Sequence, residues 1–235
     1  MTFYVISASN SIHNTDDTPL GGTALQLGLG DGAIVQANGT VLATGAAGTG
    51  IYVNAYAESS TVVVNGFVYG TSTGIYSLGQ YAQITVNGQV NAEYTAVSIS
   101  NGGSLYVSST GVVSGSEGVA LSGASLVNDG TVNGMGNNAI QMSSGWLTNN
   151  GLISSSGDGI FYVGDGTGYI TNTGRIQGDL STWYGASAAT AKLTIENSGQ
   201  WFGRLSLTPG DNTVTNPGRI TGDVYRANGN NSPAR

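Results

Sequence analysis

The chain of 235 residues contains no cysteine and a single histidine, His13. The first absence excludes disulfides, thiol nucleophiles and cysteine-ligated metals. The second excludes a histidine-based catalytic triad or a multi-histidine metal site. His13 lies near Asp16 and Asp17, outside the repeat described below, and reads as a surface residue. Charge is scarce as well. Only 8% of residues are charged, and six Lys and Arg face thirteen Asp and Glu, for a net charge of −7. Nucleic-acid binding needs a basic face, and a chain this poor in bases is not expected to form one. The acidity favours cations or simple solubility. No apolar run approaches the roughly 18 residues of a membrane-spanning helix. No basic start is followed by an apolar core, so no Sec signal peptide is read. Export by another route, or excision from a longer chain, is the expectation.

Glycine, by contrast, is abundant, with 39 copies. The glycines are not a flexible linker, because apolar residues stand between them in phase. Gly39, Gly66, Gly88, Gly111, Gly130, Gly151, Gly174, Gly199 and Gly218 recur at a mean interval of about 22 residues, the order of length of one solenoid coil. Two places after each stands a valine, isoleucine or tryptophan, from Val41 and Val68 through Ile176, Trp201 and Ile220. Four places before each stands Val, Ile or Leu, from Val35 to Val214.

Each repeat divides into three short β-prone pieces, for example Ser60–Val64, Gly66–Tyr69 and Gly74–Ser77. Period-two alternation within the pieces marks strands, and Gly, Asn, Asp and Ser mark the turns between them. A strand cannot bury a face alone. If each repeat is one triangular coil, equivalent strands stack as parallel sheets about 4.8 Å apart. The residues two after glycine then form an inward column, and those one after it, such as Thr131 and Arg175, point outward. Only small residues occur four after glycine, as a tight corner requires. Two before glycine stand Ala37, Val64, Val86 and Ser109, then Asn128, Asn149, Asn172, Asn197 and Asn216, a pattern suited to an amide ladder. Five after glycine, Asp179, Arg204 and Asp223 predict a column of alternating charge that sets register.

The segments Gly168–Leu180 (GYITNTGRIQGDL) and Asp211–Tyr225 (DNTVTNPGRITGDVY) resemble the repeats of bacterial surface β-solenoids. They are similar to coils of autotransporter passenger domains, filamentous-haemagglutinin-like adhesins and haemolysin-type repeat proteins. The resemblance spans roughly residues 21–225. It implies a parallel β-helix outside the cell, on a bacterial surface or secreted, that acts as a structural or adhesive module.

Calcium-binding haemolysin-type repeats place carboxylates in consecutive glycine-rich nonapeptides. Here Asp31, Asp165 and Asp211 occupy equivalent turns but never consecutive ones, and they are the candidate metal ligands. Carbohydrate-active β-helices need converging carboxylates with a base nearby. Asp158, Asp165 and Asp179, with Arg175, form the candidate set for that alternative. Gly-rich stretches are not followed by Gly-Lys-Ser/Thr, so a phosphate loop is not read. Trp183 and Tyr184 lie in an insertion, Ser181–Thr190, and are the candidate ligand-binding residues. Tyr52 and Tyr56 lie in another long coil. Exposed aromatics stack on sugars or on apolar protein groups.

The expected fold is therefore an all-β, right-handed, three-faced parallel β-helix, its hand following the rule for parallel crossovers. Residues 1–22 are expected to form a cap or partial coil, 23–225 the β-helix of about nine coils, and 226–235 a loose tail. The expected function is non-catalytic, with no resident cofactor other than a possible calcium. The expected partner is a host-surface or matrix glycan or protein, and coil ends or faces are open to oligomerisation. A polysaccharide lyase or glycosidase, and a calcium-binding secreted protein, are the alternatives.

Overall fold

Three parallel sheets run the length of a solenoid, and each coil contributes one strand to each. The computed structural model describes residues 2–15, 22–164, 166–183 and 191–225. In one coil the strands are Thr61–Val64, Phe67–Gly70 and Thr73–Ser77. They pair in parallel with Gln83–Val86, Gln89–Ala92 and Thr95–Ser100 of the next coil. Among the described residues the same pattern repeats through ten strands per sheet, giving about nine turns and a length on the order of 43 Å. Two corners are partly straightened. Glu117–Asn128 and Asn138–Asn149 run continuously from the third sheet into the first, and Leu152–Val163 and Arg175–Trp183 from the second into the third.

The N-terminal segment, expected to be a cap or partial coil, contributes strands in register with the rest. Phe3–Ile6, Ile12–Asn14 and Thr23–Leu27 pair with Gly32–Val35, Thr40–Ala43 and Thr49–Val53. The stack thus begins ahead of Gly21. The tail at 226–235 lies outside the described residues.

The core is a set of columns, because every inward position meets its own equivalent one coil away. Val41, Val68, Val90, Val113, Val132, Ile153, Ile176 and Trp201 stack in that order and are fully buried. Burying each such side chain contributes about 1.5–3 kcal/mol. Trp201 keeps its indole N–H satisfied by donating to the Gly178 carbonyl at 3.1 Å. Thr131 and Arg175 face outward as expected.

The phase is shifted from expectation in two coils. The turns closed by Gly39 N–H to Gln36 and by Gly111 N–H to Ser108 are, like the first one between Ile6 and Ile12, two residues longer than the rest. Val35 therefore pairs with Val64, and Val107 sits between Val86 and Asn128. Ala37 and Ser109, expected in the asparagine column, lie in these turns instead.

The corrected column reads Val35, Val64, Val86, Val107, then Asn128, Asn149, Asn172 and Asn197. The four asparagines are wholly buried. Each side-chain amide donates to the next: Asn128 to Asn149 at 2.8 Å, Asn149 to Asn172 at 2.7 Å, Asn172 to Asn197 at 2.6 Å and Asn197 to Asn216 at 2.5 Å. The second amide hydrogen goes to a main-chain carbonyl in the following coil, as Asn172 does to Gln200 at 3.3 Å. All dipoles in the ladder point the same way. Its first member, Asn128, has a buried Oδ1 without a donor, because Val107 occupies that place one coil earlier.

Glycine 174 shows why the corner residue has no side chain. A Cβ there would collide with the carbonyls of Gly151 and Asn150. The coils close so tightly at this corner that the main chain of one lies against the main chain of the next.

Replacing Asn172 by Val orphans the Asn197 acceptor and should cost about 2–3 kcal/mol in denaturant unfolding. Asn128→Val merely moves the orphaned acceptor one coil along and should cost under about 1 kcal/mol. Equal losses would show that the ladder is not what holds these coils.

Val132→Asp places an unpaired charge between Val113 and Ile153 and should abolish cooperative folding. Thr131→Asp, one residue earlier and facing solvent, should stay within about 0.5 kcal/mol of the parent protein.

Candidate functional site

Of the three aspartates expected as metal ligands, the two described ones, Asp31 and Asp211, stand far apart. Asp31 caps a turn. Its carboxylate accepts the Thr2 N–H at 2.5 Å and the Gly28 N–H at 3.1 Å. These main-chain donors, Thr2 first, hold its carboxyl below the usual range. Asp211 precedes the strand Thr213–Thr215 at the far end of the stack, eight coil steps and roughly 38 Å away. Asp165 lies outside the described residues. Among the described residues no three His, Cys, Asp or Glu side chains form a group suited to a metal ion.

The acid–base candidates are partly brought together. Asp158 and Asp179 stand opposite one another on adjacent strands. Each is engaged by a neighbouring coil. Asp158 accepts the Ser181 hydroxyl at 2.6 Å. Asp179 accepts the Arg204 N–H at 2.8 Å and forms an ion pair with its guanidinium at 2.6 Å. Burial opposes ionisation of Asp179, but the N–H and guanidinium of Arg204 outweigh it and lower its pKa. The expected alternating column therefore forms between Asp179 and Arg204. Asp223 instead accepts the Tyr225 hydroxyl at 3.3 Å within its own coil.

Further down the same outward column stands Glu117, which accepts hydrogen bonds from Thr95 at 2.9 Å and Asn138 at 3.2 Å. Burial pushes its carboxyl above the usual range, against the smaller opposing effect of the Thr95 hydroxyl.

Arg175 is not part of this group. Its guanidinium lies 4.7 Å from the centroid of Phe202, and that of Arg219, one coil beyond, lies 5.9 Å from the same ring. Arg175, Gln200 and Arg219 follow one another up the second sheet. They rim a trough of about 640 Å³ that runs along the corner between the first and second sheets. The glycine column that includes Gly151 and Gly174 forms its side-chain-free floor.

Trp183 is 61% exposed and stands opposite Val163, while Tyr184 lies outside the described residues. Tyr52 stacks on Tyr76 of the next coil at 5.7 Å, and Tyr56 is exposed at a corner. The larger aromatic feature is one that the repeat reading passed over. Trp146 and Tyr169 stack at 5.7 Å with their rings 5° apart, on the outer face of the first sheet. Both are exposed, as are Tyr106 and Val127 on the preceding coils of that face. Each of the stacked pair stands five places before its glycine. That odd offset is outward in the phase that makes the fourth place inward, so the signal was present in the spacing.

No protein-family model matches the chain, and no curated protein or solved structure is significantly similar to it. The likeness to bacterial surface proteins therefore holds for the β-solenoid architecture alone.

The carboxylates give opposite acid responses. Asp31 and Asp179 have lowered folded pKa values, so their contribution is present above the unfolded pKa and is lost as pH falls through the folded one. Glu117 has a raised folded pKa, so acidification relieves a cost instead. Asp179→Asn should flatten the loss of melting temperature below about pH 4. Glu117→Gln, which keeps both hydrogen-bond partners, should raise the melting temperature at neutral pH. A lowered one would contradict the assigned burial cost.

Proposed function

We propose that the chain is a non-catalytic, rigid β-helix module of a bacterial cell-surface or secreted protein, with an adhesive role toward a glycan or a protein surface. The observation that carries the reading is an exposed patch on one flat sheet face, with Tyr106 and Val127 in one column and Trp146 and Tyr169 in the neighbouring one. Parallel strands fix the spacing of these side chains, and stacking fixes the two rings against each other. An apolar, immobile ledge of this kind binds with little loss of side-chain freedom.

The carboxylates support the non-catalytic part of the reading. A general acid and base need to be poised toward a substrate. Asp158 and Asp179 are instead committed to ties between coils, with Ser181 and Arg204. The absence of cysteine suits a chain that crosses an export channel unfolded. The ledge needs no bound ion to present its rings.

Binding of the purified protein to arrays of glycans and of surface proteins should weaken on Trp146→Ala and on Tyr169→Ala, with melting temperature unchanged within a few degrees. Acidic and neutral polysaccharides should remain uncleaved. Turnover that disappears in Asp158→Asn or Asp179→Asn would replace this reading with that of a carbohydrate-active enzyme.

A further inference from the structure

Charge is distributed along the rod in a very uneven way. All six Lys and Arg residues lie at position 175 or beyond. Only four of the thirteen acidic residues, Asp179, Glu196, Asp211 and Asp223, share that stretch. Arg226 and Arg235 lie outside the described residues, so residues 175–225 carry a formal charge of zero, four bases against four acids, while residues 1–174, with no base at all, carry −9. A polyanion is repelled by most of this protein and tolerated at one end.

The trough rimmed by Arg175 and Arg219 lies in that end. Arg204 is committed to Asp179, but neither the Arg175 nor the Arg219 guanidinium makes a hydrogen bond or ion pair with another described residue. Their interaction is with the face of Phe202, which orients a guanidinium without using its in-plane N–H donors. Two forks are thus held ready for carboxylate or sulfate oxygens. They stand two coil steps apart, roughly 10 Å along the axis, with Gln200 between them.

The opposite wall is uncharged and polar. Asn150 and Thr173 line it, joined by a hydrogen bond of 2.7 Å from the Thr173 hydroxyl. The Asn150 amide also donates to Asp129 at 2.8 Å, which leaves a second N–H and the Thr173 lone pairs for a ligand hydroxyl. Asp129 closes the N-terminal end of this wall to anions. The floor is glycine, so a chain can lie against the main chain itself.

We infer that this trough binds an acidic polysaccharide, a sugar chain bearing carboxylate or sulfate groups, laid along the solenoid axis. The inference rests on the reading of the chain as a non-catalytic adhesive module and names its ligand class. Anionic groups meet the two guanidiniums, and ring hydroxyls meet Asn150, Thr173 and Gln200. Uniform spacing along the axis suits a polymer with a regular repeat better than a single small anion.

The test titrates the full chain, by calorimetry, with hexamers of galacturonate and of chondroitin sulfate, and with a neutral dextran oligomer and inorganic polyphosphate. The acidic sugars should bind, less tightly as salt rises, and the neutral one should not. Arg175→Gln with Arg219→Gln should weaken binding by about tenfold or more at unchanged melting temperature. Arg204→Gln, which removes an equal charge elsewhere, should change it by less than about twofold. Should the glutamine pair destabilise the coil, Arg175→Lys with Arg219→Lys keeps the charge, removes the fork and should still weaken binding. No affinity for either acidic hexamer, equal loss with Arg204→Gln, or competition by polyphosphate on equal terms would each overturn the assignment. Cleavage of a bound hexamer would instead overturn the non-catalytic reading and leave the trough in place.

Discussion

In a stack of parallel coils, the main neighbour of each inward residue is the residue at the same place one coil away. The strand spacing of about 4.8 Å imposes this, and every other feature of the molecule answers to it. A column of valines satisfies the constraint because branched side chains pack on themselves. Asparagine satisfies it in a different way, since its amide is donor and acceptor at once and can pair with a copy of itself in translation. A column that changes from Val107 to Asn128 then leaves one unsatisfied oxygen at the junction. The cost falls once, whatever the length of the ladder beyond it.

The same constraint explains the glycine corner. Once the inward columns fix the coil spacing, the tightest bend brings the main chain of one coil against that of the next, and no Cβ fits at Gly174. The corner is therefore a consequence of the core rather than a separate device. It also leaves a bare channel along the outside of the rod, which the flanking columns are free to decorate. Asn150 and Thr173 on one side and Arg175 and Arg219 on the other are such decorations. Their side chains lie outside the core, held by hydrogen bonds between coils and by the Phe202 ring.

Periodicity made the fold legible in the sequence. The inward columns, the three strands per coil and the amide ladder all repeat, and a repeat can be counted. The two places where counting failed are those where a turn gained two residues, before Gly39 and Gly111. There the count from glycine slips while the count from the strand does not, and Ala37 and Ser109 are misplaced for that reason. The pairing of Asp179 with Arg204 was legible because both fall on one column. The partner of Asp223 was not, because Tyr225 reaches it within the coil. Trp183 drew attention because the insertion was expected to begin at Ser181, but Ser181–Trp183 continue a strand in register with Phe161–Val163; Trp146 and Tyr169 were hidden inside regular coils. On a solenoid the flat and regular faces offer the longest runs of fixed side chains.

A rod of this kind separates two demands that compete in most proteins. Stability comes chiefly from inward columns, and under the function proposed above recognition falls to outward ones, whose residues can change without disturbing the core. The patch on the first sheet and the trough at the next corner illustrate the separation. Trp146 and Asn150 lie four residues apart on one coil, and Tyr169 and Thr173 four apart on the next. Each pair of positions thus serves an apolar ledge and a polar wall from the same stretch of chain. The outer surface also inherits the coil spacing, which makes any ligand site on it periodic along the axis. Extended polymers match that geometry, because their own recognition groups recur at fixed intervals, and each added coil in contact lengthens the match without a new kind of site.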